Sequence, residues 1–125
     1  MRTIKFRGKR VDNGEWIYGD LLQWQTKGIS AIVPQNGNEW SNPYDFEVIP
    51  ESVGQFTGLI DGNGVEMYDG DEFRTVWKSE ENTIHEGVVF WNVARGRWDA
   101  KNATFTSRSR KTTMVTGNIH ETPNP

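Results

Sequence analysis

The chain has 125 residues, a formal net charge of −3, thirteen glycines, fifteen aromatic residues (six Trp, six Phe, three Tyr) and no cysteine. A chain of this length buries roughly 65–70% of the surface its unfolded form exposes, enough for one domain and too little for two of ordinary size. The absence of thiols excludes disulfides, cysteine nucleophiles, thiolate zinc sites and iron–sulfur clusters.

Many aromatic and glycine residues beside few leucines and alanines favour pleated sheet and tight turns over helix. MRTIKFRGKR begins the chain with basic residues and runs into VDNGEWIYGD rather than an apolar segment, so no secretory signal is expected. No stretch reaches the ~18 apolar residues of a spanning helix, so the expectation is a soluble, cytoplasmic protein with no membrane partner. Ile4, Phe6 and Gly8 alternate with Lys5, Arg7 and Lys9, the period of a strand whose first set is buried and whose second is solvated. Asp12-Asn13-Gly14 supplies a turn, and Trp16, Ile17, Tyr18, Leu21 and Leu22 form the return strand of a first hairpin. Ile29 to Val33 is a short strand stopped by Pro34, and Gln35 to Tyr44 reads as a loop. Phe46 to Ile49 is read as a short strand closed by Pro50, with Pro50-Glu51-Ser52 as a corner.

Gln55 to Leu59, the turn Asp61-Gly62-Asn63-Gly64 and the return Val65 to Tyr68 make a second hairpin. Its buried face is assigned to Phe56, Leu59, Val65, Met67 and Phe73. Asp69-Gly70-Asp71 then turns the chain into Phe73 to Trp77, with Phe73, Thr75 and Trp77 on one face and Glu72 and Arg74 on the other. Lys78 to Thr83 is a polar turn. Gly87 to Trp91 is apolar at every side-chain position, which predicts a strand covered on both faces. Asn92 to Gly96 connects it to Arg97–Ala100, residues 101–113 have no clear period, and Met114 to Ile119 is a last strand. Turn signals about every ten residues from 54 to 120 predict a mainly β fold: an N-terminal β-hairpin joined to a small SH3-like or half-open β-barrel. A single domain, 1–125, is expected, with lobes at 1–50 and 51–125.

Chemistry is sparse. His85 and His120 are far apart in sequence and neither has a partner at ligand spacing, so no metal is assigned. Asp61, Asn63, Glu66, Asp69 and Asp71 form the densest oxygen cluster, yet Gly64 stands fourth from Asp61 where a calcium loop of the helix–loop–helix type needs its glycine sixth. Turn formation accounts for these residues. No nucleophile elbow, phosphate loop or constrained carboxylate pair is present, so no catalytic residue and no cofactor are assigned.

Charge is unevenly spread, at +3 for residues 1–28, −10 for 29–86 and +4 for 87–125. Solvated strand faces account for this pattern, as does complementarity within the fold or between subunits. The alternative is nucleic-acid binding. Arg95, Arg97, Trp98, Lys101, Phe105, Arg108, Arg110 and Lys111 interleave cations with aromatic rings, as a stacking platform with phosphate contacts requires.

Three blocks resemble a known family: IKFRGKR at Ile4–Arg10 with GEWIYGDLL at Gly14–Leu22, VIPESVGQFTGLIDGNGVEMYDGDEF at Val48–Phe73, and VTGNIHE at Val115–Glu121. They are similar to the YopX-like family, small proteins found mainly in bacteriophages and prophages and of unknown function. Glu72, at a usual aliphatic position, and Asp69, at a common Glu, depart from the family pattern. The resemblance implies a mainly β fold, a phage or prophage origin, action in the host cytoplasm and self-assembly, and it brings no catalytic residues. The expected function is a non-enzymatic binding or assembly module acting on a protein partner or on itself as a homo-oligomer.

Overall fold

A computed structural model of the chain describes residues 3–35, 42–77, 83–101 and 113–121. It divides into two compact units, Met1–Phe56 and Thr57–Pro125. Nearly all regular structure among the described residues is antiparallel β, and there the strands form two sheets without closing into a barrel.

In the first unit, β1 (Phe6–Lys9) pairs with β2 (Trp16–Trp24) from Phe6↔Gly19 to Lys9↔Trp16. The turn between them is built as its residues suggest. Gly14, at φ +72°, donates to the Arg10 carbonyl (3.0 Å), and the Asn13 side chain accepts from the Glu15 N–H (2.9 Å). β2 continues past β1 to pair with β3 (Ile29–Val33), from Asp20↔Val33 to Trp24↔Ile29. The β2–β3 end is tight: a Cβ at Gly19 would stand 2.1 Å from the Val33 carbonyl oxygen, so only glycine fits there. The first residues of β4 (Gly54–Ile60) pair with β1 on its other side.

Three expectations for this unit need correction. Ile4 is exposed, and it precedes the first strand, which begins only at Phe6. Arg7, expected in water, is 5% exposed and lies over the Trp16 ring, 5.0 Å from its centroid. A guanidinium is weakly hydrated and stacks on indole, so burial against Trp16 costs it less than it would cost a lysine. Phe46–Ile49 is not a strand. Phe46 ends a 3-10 turn, Pro43–Phe46, whose N-terminus is capped by Asn42 accepting from the Tyr44 N–H (3.0 Å). Glu47 and Val48 then each form one bridge, to Ala31 and to Arg10. Val48 N–H donates to the Ser30 carbonyl and Ile49 N–H to the Lys9 carbonyl. A segment that bonds two different strands in successive residues extends neither ladder. It seats Val48, fully buried, over Gly8.

The second unit contains the remainder of β4 with β5 (Glu66–Tyr68), and a four-stranded sheet. Its order is β8 (Arg97–Lys101), β7 (Thr83–Asn92), β6 (Asp71–Trp77), β9 (Thr113–Asn118). Met67, Phe73 and Val89 form the core, with Leu59, Trp98, Ala100 and Val115 packed against them. Burying side chains of this size stabilises by about 1.5–3 kcal/mol each. Two of the earlier assignments change. Val65 is exposed, because both its N–H and its carbonyl bond Asp61 in the turn and β5 starts one residue later. The Gly87–Trp91 run is not covered on both faces: Val89 is buried, Val88 and Phe90 are half-buried, and Trp91 is 44% exposed. The pleat puts Val89 and Trp91 on one side and Val88 and Phe90 on the other; Val89 lies in the core, whereas Trp91, one residue from the strand's end, is left partly open.

Candidate interaction surfaces

Two acids of the Asp61–Asp71 segment, Asp61 and Asp71, serve the backbone, while Glu66 accepts from the Tyr68 hydroxyl (3.2 Å). Asp61, 6% exposed, accepts from the N–H groups of Asn63 (2.8 Å) and Val65 (2.9 Å) with Oδ1, and from Val115 N–H (2.9 Å) with Oδ2. Asp71 accepts from Tyr68 N–H (2.7 Å). Gly70, at φ +88°, turns the chain between them, donating to the Val89 carbonyl and accepting from Ile119 N–H. Asp61, which takes three backbone N–H groups, is a structural pin. Among the described residues no group of three or more His, Asp and Glu is placed to hold a metal ion.

The basic and aromatic residues of 95–101 are sorted by the pleat of β8. Trp98 and Ala100 face the core, and Trp98 meets Trp91 edge-on at 5.0 Å. Arg97, 57% exposed, and Lys101 lie on the opposite face with Asp99 between them, and Arg97 approaches Asp99 at 3.7 Å. Arg95 sits in the β7–β8 turn, where its N–H donates to the Asn92 side chain (3.2 Å). Trp98 is thus on the face opposite Arg97 and Lys101, and the ring on the face of those cations is the half-buried Phe90, paired with Asp99 between them. Arg108, Arg110, Lys111 and Phe105 lie outside the described residues. The N-terminal cations are also occupied by rings: Lys5 lies over Phe56 (5.4 Å) and Arg10 over Phe46 (6.0 Å).

Some outward backbone groups on β8 and β9, the edges of the four-stranded sheet, are met by side chains and turns. Val89 directs its carbonyl toward Gly70, so Ala100, opposite it on β8, directs its N–H outward. The Asp99 carboxylate accepts that N–H (2.9 Å), with Oδ2 taking the Asn92 amide (3.1 Å). These bonds, the backbone one foremost, hold the Asp99 carboxyl below the usual carboxylate range. On β9, Gly62 N–H donates to the Thr113 carbonyl and Asp61 accepts from Val115. Such caps discourage pairing with foreign strands.

A different surface emerges on the first unit, and the sequence reading did not single it out. Alternation along β2 puts Tyr18, Leu22 and Trp24 on one face, all partly exposed. Tyr44, from the 3-10 turn, brings its ring to 5.8 Å from that of Trp24, tilted by 47°. Tyr44 also walls a depression of about 110 Å³ whose other sides are Val11, Asp12, Asp45 and Glu47. Arg10 grips Asp12 with two bonds (3.0 and 2.8 Å) and donates to the Asp45 carbonyl (3.0 Å). The guanidinium bond holds the Asp12 carboxyl below its ordinary range and raises Arg10 in turn. Period 2 on β2 would have revealed the first part of this surface; the arrival of Tyr44 from twenty residues away has no local signal.

The fold is that of a small, mainly β protein whose described strands lie in two antiparallel sheets. A family model described as YopX protein matches residues 5–124, and the chain belongs to that family. It is similar in structure to the protein EF1440 from Enterococcus faecalis, with a TM-score of 0.58 over 96% of this chain and 95% of that one. At 20% identity this likeness concerns the fold alone. No curated protein matches the chain. Among the described residues no helix is long and apolar enough to cross a membrane.

Proposed function

We propose that the chain is a non-enzymatic binding module whose ligand is a protein, and that it binds through the β2 face of the first unit. The observation that carries this reading is the exposed pair Trp24 and Tyr44, 38% and 49% open, flanked by Leu22 and by the carboxylates of the depression. Aromatic side chains with an apolar body and a polar tip dominate the energetics of protein interfaces. A depression of about 110 Å³ is well below the ~300–1,000 Å³ of pockets that enclose small molecules. It suits one short side chain of a protein partner. The capped groups on β8 and β9 favour association through side chains over strand addition there.

A photo-crosslinking residue in place of Leu22, in the full chain and in the cells that produce it, tests this reading. The expected result is a covalent protein adduct that disappears when Trp24→Ser is added, with none from the same group at Glu86 on the second unit. Equal adducts from positions 22 and 86, or none from either, would overturn the proposal.

A further inference from the structure

We infer that the occupant of the β2 surface is a second copy of this chain, which arrives with the tip of its β7–β8 hairpin. The inference rests on the binding-module reading and names its partner.

The tip is chemically the counterpart of the surface. Val93 is 84% exposed, the most open large apolar side chain among the described residues, and it stands at the end of a two-stranded projection rather than on a face. Arg95 follows two residues later and Arg97 stands at the start of β8. The turn is held in shape: Asn92 accepts from Arg95 N–H while donating to Asp99, and Gly96 at φ +61° closes it. A partner thus meets a preformed apolar point beside cations, with little ordering entropy to lose. On the other side, the depression has apolar walls at Val11 and Tyr44 and a rim of Asp45 and Glu47, with Asp12 already engaged by Arg10. One branched aliphatic side chain fills such a space, and cations beside it face carboxylates. Tip and β2 surface are different patches, so each contact joins unlike surfaces of two copies.

That asymmetry supplies the test. Sedimentation velocity on the full chain compares the wild type, a surface variant (Trp24→Ser with Tyr44→Ser) and a tip variant (Val93→Asp with Arg95→Glu). All the substituted side chains are exposed, and since Arg95 also lies in the turn held by Asn92, Val93→Asp alone is run beside the double variant as a folding control, with circular dichroism on each. The expected result is a wild-type mass that rises with concentration and falls back at about 0.5 M salt, where charge pairing is screened within a few ångströms. Each variant alone stays monomeric, and an equimolar mixture of the two regains one contact and sediments as a heterodimer. A wild type that remains monomeric up to millimolar concentration overturns the inference, as does a mixture that stays monomeric or a folded tip variant that associates like the wild type. If the position-22 crosslink then yields an adduct with a different protein, the binding-module reading stands and only the self-docking is lost; if it yields none, both fall.

Discussion

In the second unit Asp61, Asp71, Phe73 and Trp98 are turned inward to hold the fold, with Trp91 left partly open near the end of β7, whereas in the first unit rings and carboxylates are turned outward together at one place. Asp61 and Asp71 each take backbone N–H groups, and Phe73 and Trp98 lie in or against the core. On the first unit Asp45 and Glu47 rim a depression beside the half-open rings of Trp24 and Tyr44. The contrast teaches how to weigh such residues: an acid whose oxygens are spent on backbone amides has little left for a ligand, and a ring facing water has yet to bury its apolar area.

The largest effect should come from removing the second unit's core. Phe73→Ala is expected to cost about 3–5 kcal/mol in urea unfolding, because the cavity it leaves is lined by Met67 and Val89, which cannot collapse into it from paired strands. Next, Asp61→Ala should cost about 2–3 kcal/mol, since it strips acceptors from three N–H groups, whereas Asp61→Asn should recover part of this through its one remaining oxygen. An equal loss for Ala and Asn would break the account of Asp61 as a pin. Gly19→Ala in the first unit should cost about 1–3 kcal/mol, because the new methyl meets the Val33 backbone rather than a side chain able to move. On the outward-facing side the expectation reverses: Tyr44→Ser should change stability by no more than about 0.5 kcal/mol while removing the crosslink.

The smallest effect concerns Asp99. Its folded carboxyl binds protons less tightly than the unfolded one, so its contribution is complete above the ordinary carboxylate pKa of about 3.9 and is lost as pH falls through the depressed folded value. Carboxyl NMR titration should show the depression. Asp99→Ala should remove only this residue's share of the acid-side pH dependence, leaving that of Asp12, and speed amide exchange at Ala100; unchanged exchange there would show that the edge is guarded by something else.

Local signals were enough for much of the fold. Asp12-Asn13-Gly14 and Asp61-Gly62-Asn63-Gly64 announced their turns because Asn, Asp and Gly have a reason to be there that needs no distant partner. Pro34 ended β3 as it must. What the chain hid depended on register or on distance. The burial of Arg7 follows from Trp16 lying on the neighbouring strand, and Val48 is buried only because Gly8 leaves room beneath it. The candidate surface was half legible: Tyr18, Leu22 and Trp24 share a parity that alternation could have exposed, but Tyr44 meets Trp24 only through the tertiary fold. Parity also separates Trp98 from Arg97 and Lys101, whereas the ring that shares their face, Phe90, comes from the neighbouring strand.

The bond from Val115 to Asp61 spans 54 residues of sequence. During synthesis the 61–65 turn therefore leaves the ribosome long before the strand that completes it, and β6 waits with one side unpaired until β9 emerges. A nascent second unit is thus an unfinished sheet for most of its manufacture, and a chain cut short before residue 113 would carry a buried acid with one oxygen's amide partner missing. Completion of the last strand, rather than formation of any early hairpin, sets the moment at which this half of the protein becomes safe from misassembly.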